Sequence, residues 1–74
     1  MIDKVIIQHN IQKHILAVLM HAKHARFRDM RPSKVDTNLY SYHLKLLIKA
    51  GFIKKAEQGY TLDKKGIVYV DRVS

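Results

Sequence analysis

The sequence has no cysteine and no tryptophan, one proline, three glycines and few acidic residues among its 74. Without cysteine, neither a disulfide framework nor a thiolate zinc site can supplement the core, and nothing calls for an oxidising compartment. The longest apolar run, Ile15 to Met20, is too short to cross a bilayer, and Met1-Ile2-Asp3-Lys4 lacks the layout of a signal peptide. A cytoplasmic location and no membrane partner are therefore expected. The catalytic patterns are missing too: there is no paired-carboxylate spacing, no G-x-S-x-G, no phosphate loop and no H-E-x-x-H. Ser41 and His43 are two residues apart, which on a helix turns their side chains about 200° from each other, so they cannot act as nucleophile and base. No catalytic residue and no cofactor are expected in this chain.

What is present is positive charge. The 14 Lys and Arg against 6 Asp and Glu give a formal charge of +8. That density on a small body favours a polyanionic partner, nucleic acid ahead of an anionic membrane surface. The competing reading is a solvated basic surface with no ligand.

Residues 1–74 have room for one domain, α+β and mainly α, which buries roughly 60% of its unfolded surface. Ile7, Ile11, Ile15, Val18, Leu19 and Ala22 recur at helical spacing and predict a first helix. Asp3 and Asn10 are both candidate N-caps, leaving Lys4–Gln8 as a first turn or an extended arm. Ala25-Arg26-Phe27 reads as a very short strand and Arg28 to Arg31 as the start of a short second helix that Pro32 delimits. A third helix, 37–50, begins at Asp36-Thr37 and stops at Gly51. Phe52–Ala56 and Tyr60–Leu62 flank Glu57-Gln58-Gly59 as a β-hairpin, with Gly59 free to take positive φ. Asp63 then caps a last helix, Lys64 to about Val73, with Ile67, Val70 and Val73 facing inward or toward a partner.

On the third helix, at about 100° per residue, Tyr40, Leu44, Leu47 and Ile48 make the buried face. Asn38, Tyr42, Lys45 and Lys49 share a sector of about 60° on the opposite side. Asn pairs bidentately with adenine, Lys reaches guanine edges or phosphates, and Tyr packs on sugars or bonds a phosphate. Basic clusters flank this helix: Lys23, Arg26, Arg28, Arg31 and Lys34 before it, Lys54 and Lys55 after it. A polar helix between basic flanks is the layout that puts one helix in the major groove of double-stranded DNA while its neighbours hold the backbone.

The run Ser41-Tyr42-His43-Leu44-Lys45-Leu46-Leu47-Ile48-Lys49-Ala50-Gly51-Phe52-Ile53 resembles the S-x-H-L-x-x-L-x-x-A-G-[LF]-[IV] signature of ArsR-type and related prokaryotic winged helix repressors. Tyr60-Thr61-Leu62-Asp63-Lys64-Lys65-Gly66 is similar to the Y-x-L-T-x-x-G that closes the wing in many of these proteins, with Asp63 in place of the threonine. The resemblance implies a winged helix-turn-helix with a three-helix core, a short hairpin wing (53–62) and a C-terminal helix. By it, Thr37, Asn38, Ser41, Tyr42 and Lys45 face DNA, with Lys54, Lys55 and Gln58 on the wing; Ser41, at the edge of the polar sector, is a phosphate contact only. His43, Leu44, Leu47, Gly51 and Phe52 match as determinants of the fold. A homodimer through the first and last helices and a role in transcription are implied as well. Winged helix modules of this size also stand in front of enzymes, including some Nudix hydrolases, so a C-terminal catalytic domain in a longer parent is a second reading, with this module regulatory or protein-binding. RNA binding is a third.

The five histidines raise the question of metal. His14 and His21 share a flank of the first helix but sit two turns apart, roughly 10 Å by helical rise, with no acidic residue on that helix after Asp3. No metal site is expected; solvated histidines that charge below about pH 6.5 are. Tyr60, Tyr69 and Phe27 are expected to pack in the core or hairpin and not to serve as stacking platforms.

Overall fold

A computed structural model describes residues 9–73. The chain is a small α+β protein, mostly helical, with three α-helices and one two-stranded antiparallel hairpin among the described residues. Helix α1 covers Asn10–His21 and buries Ile11, Ile15, Leu16 and Leu19 along one stripe. Its N-cap is His9, whose Nδ1 accepts the Ile11 amide at 3.1 Å, so Asn10 is the first helical residue and not the cap. Ile7, Asp3 and the Lys4–Gln8 alternatives lie outside the described residues. Ala22, already extended, ends the helix.

The expected strand at Ala25–Phe27 is reduced to one bridge: the Ala25 amide donates to Tyr60 O at 3.1 Å and the Tyr60 amide returns to Ala25 O at 2.8 Å. The expected second helix is one 3-10 turn, Phe27–Met30, which begins a residue early. The Asp29 carboxylate accepts from the Arg26 amide and closes the turn at its start. Pro32 keeps Arg31 extended, so the turn cannot propagate.

Helix α2 runs Thr37–Ala50, with the bounds expected from its caps. Asp36 accepts from the Asn38 and Leu39 amides at 2.9 and 3.1 Å. Gly51 (φ 92°) takes the left-handed conformation, and the Phe52 amide closes back on Leu47 O at 2.9 Å. Tyr40, Leu44 and Leu47 are buried as expected, but Ile48 is 36% exposed. Its place on the core side is taken by His43, which finds polar partners on α1 that an isolated helical wheel does not contain.

Strands β1 (Ile53–Ala56) and β2 (Gly59–Leu62) pair with Ala56 opposite Gly59, which leaves a two-residue turn at Glu57-Gln58. Gly59 has φ 122°, and a Cβ there would press on the backbone of Ala25, so the bridge needs glycine for closeness as well as for φ. Helix α3 (Lys64–Val73) starts with the Asp63 carboxylate on the Lys64 amide at 2.8 Å. Of its apolar residues, Ile67 and Val73 are exposed at 56% and 54%, and Val70 is half-buried. The core joins α1, α2 and the hairpin through Ile15, Leu16, Met30, Tyr40, Leu44 and Ile53, with Phe27, Tyr60 and Tyr69 packed against it. No helix among the described residues is long and apolar enough to cross a membrane.

Gly66 decides how α3 docks. A Cβ there would meet the Phe52 carbonyl oxygen and come within 2.8 Å of Leu62 Cδ2. On helix propensity alone Gly66→Ala stabilises by about 1 kcal/mol. The close approach predicts the opposite sign, a net loss of about 1–3 kcal/mol from overpacking, read as a lower urea midpoint.

Candidate nucleic-acid interface

The outward side of α2 carries Asn38, Tyr42, Lys45 and Lys49, all exposed, with Tyr42 at 58%. Thr37 is exposed beside Asn38, while Ser41 is half-buried at the border of the core side. Leu39 and Leu46 make an exposed apolar flank on the other border. Because Asp36 holds the amides of Asn38 and Leu39, the first turn that presents Asn38 is fixed by its own cap.

The segment carrying Arg28, Arg31 and Lys34 is tied to α2 by one buried group. The Tyr40 hydroxyl donates to Phe27 O at 2.6 Å, and the two rings pack with centroids 4.7 Å apart. Burial pushes the Tyr40 hydroxyl up to about 12, with Tyr60 and Asp29 adding and Arg31 opposing, so it stays a donor at any physiological pH. Arg31 is partly committed to structure: its Nη1 donates to Val35 O at 3.0 Å across the turn where Lys34 takes φ 63°. Arg28 and Lys34 are exposed. This segment thus lies against the early turns of α2.

The hairpin divides the lysines expected on it. Successive strand residues face opposite sides, so Lys54 and Lys55 cannot share a surface. Lys55 stands opposite Tyr60, its Nζ 5.9 Å from the ring centroid, on the side of Ile53 and Leu62. Lys54 stands opposite Thr61 on the outer side. Gln58 occupies the tip next to Glu57, an acid.

Local structure takes up three of the six acids. Asp36 and Asp63 accept helix amides, and Asp29 pairs with Arg26 at 3.3 Å. Lys45, Lys49 and Lys54 have no ion-pair partner among the described residues. The net positive charge is therefore concentrated on side chains that remain open to solvent.

The histidines behave differently from one another, which corrects the expectation that all are solvated. His43 is 7% exposed, its ring 3.9 Å from that of His9 by centroid, its Nδ1 2.9 Å from Gln12 Nε2, with Tyr42 edge-on at 5.3 Å. Burial, and then the neighbouring His9, lower the His43 pKa. No group of three or more His, Cys, Asp or Glu side chains among the described residues could hold a metal ion.

The chain matches no protein-family model, no curated protein and no solved structure. The interface is therefore defined by its own residues. The signal for His43 was present in the sequence as a motif position. The pairing of Ala25 with Tyr60 had only a faint one, a small apolar residue between His24 and Arg26.

The burial of His43 sets a pH dependence. The folded His43, buried and beside His9, resists protonation more than it does in the unfolded chain. Stability should be flat above about pH 6.5 and fall as the unfolded state takes up protons below it. Urea midpoints from pH 8 to 4.5 test this, with His43→Leu expected to flatten the acid limb; an equally steep limb in that variant would refute the assignment to His43.

Proposed function

We propose that the chain is a winged helix-turn-helix module that binds double-stranded DNA, with α2 in the major groove and the hairpin 53–62 on the phosphate backbone. The observation that carries the reading is the outward stripe of α2. Asn38, Tyr42, Lys45 and Lys49 are exposed together on a helix capped at both ends, and the two lysines lack acidic partners among the described residues. In this reading Asn38 and Lys45 meet base edges and Tyr42 and Lys49 meet sugar and phosphate. Thr37, Ser41, Arg28 and Lys34 add backbone contacts at the near end of the helix. Regulation of transcription, in the manner of the prokaryotic repressors the motifs resemble, is the role this binding would serve.

A homodimer fits the same reading. Ile67, Val68 and Val73 on α3 are exposed apolar residues in a chain otherwise rich in charge, and a two-fold pair of modules would read two half-sites. Ile67→Lys should shift the chain toward monomer in sedimentation velocity at tens of micromolar without lowering its melting temperature.

Duplex binding followed by fluorescence anisotropy tests the main claim. The logarithm of affinity should fall with the logarithm of salt at a slope of about −5, for roughly five or six phosphates neutralised per chain. Lys45→Glu with Lys49→Glu should abolish binding and leave thermal unfolding unchanged, both side chains being exposed. Binding that survives this double change would remove α2 as the reader.

A further inference from the structure

The Ala25–Tyr60 bridge lays the segment 23–26 alongside the two-stranded hairpin, and this creates a surface that neither has alone. The pairing with the hairpin is confined to Ala25, opposite Tyr60, and the next residue of β2, Thr61, is opposite Lys54. Lys54 and Thr61 thus form a cross-strand pair on the outer side, while Ala25, Tyr60 and Lys55 form the next row on the inner side. Thr61 Oγ1 donates to Lys23 O at 2.9 Å, which brings the main chain of the bend at Lys23, with His24 next to it, up to this outer pair. Lys23, His24 and Lys54 are all exposed, and no acid lies among them; Asp29, the nearest in sequence to Lys23 and His24, is paired with Arg26. The hairpin tip is the reverse case. It is only two residues long and one of them is Glu57, whose charge repels phosphate.

We infer that the backbone of the nucleic acid is held by the outer face of this sheet, through Lys23, His24 and Lys54 around Thr61, and not by the hairpin tip. The inference rests on the DNA reading above and specifies which of the hairpin's residues carry it. Lys23 and Lys54 each neutralise a phosphate, His24 donates a ring N–H, and the contact is blind to base sequence because these groups meet phosphates and the Thr61 hydroxyl is already bonded to the main chain.

The test uses the full chain and a fluorescein-labelled duplex, with anisotropy titrations from about 50 to 300 mM salt. Lys23→Ala with Lys54→Ala should weaken binding by about tenfold or more near physiological salt and make the salt slope shallower by about 2. Glu57→Ala with Gln58→Ala, and separately Lys55→Ala, should stay within about twofold of the wild type, since these residues lie at the tip and on the inner side. A wild-type slope in the Lys23, Lys54 variant overturns the inference, as does a larger loss in the tip variant. Thermal melting of each variant separates lost contact from lost fold. If the wild type itself fails to bind duplex at low salt, the DNA reading has failed; if it binds and only the sheet variant is silent, the sheet assignment alone has failed.

Discussion

The turn at Gly51-Phe52 is the joint on which the architecture hangs. Its two carbonyls accept from different parts of the chain: Gly51 O from the Lys65 amide at 3.1 Å, and Phe52 O from the Asp63 amide at 2.8 Å. The same turn terminates α2 through the left-handed glycine and the Phe52 amide. One pair of residues thereby ends a helix, launches a strand and receives the start of the next helix. Gly66 is required because α3 comes so near that carbonyl that no side chain fits between them. The angle of the hairpin against α2, which any surface built from both depends on, follows from this joint.

How far the sequence foretold this differs from element to element. Helix α2 was legible to the residue because both ends are local events, a carboxylate reaching its own amides and a glycine reversing the backbone. Its outward stripe was equally legible, since helical phase alone determines which side chains oppose the core. Other features depend on partners distant in sequence. His43 is buried because Gln12 and His9 meet it from α1, and Ile48 is left exposed although it is apolar. A capping histidine at residue 9 competed with better-known capping types at Asp3 and Asn10. The division of Lys54 from Lys55 was implicit in strand alternation, but the surface that Lys54 joins was not, because one bridge to Ala25 creates it.

The distribution of acids accounts for the electrostatics better than the net charge does. With so few carboxylates, two at helix starts and a third on Arg26 leave little to offset lysine elsewhere. The residues that build the fold and those that give it its field are thus largely separate sets, and the cations can be replaced with little effect on the core.

The Ala25–Tyr60 bridge has a topological consequence. It joins points 35 residues apart, and the chain between them contains the 3-10 turn, all of α2 and β1. Helix α2 is thus a segment of a closed ring, clasped by the two main-chain bonds of the bridge and by the Thr61 hydroxyl on Lys23 O, and pinned inside it by Tyr40. The direction of its outer face is set by these bonds and by the core beneath it. The outer face of α2 is thereby oriented by contacts that join both ends of a 35-residue stretch, not by the helix alone.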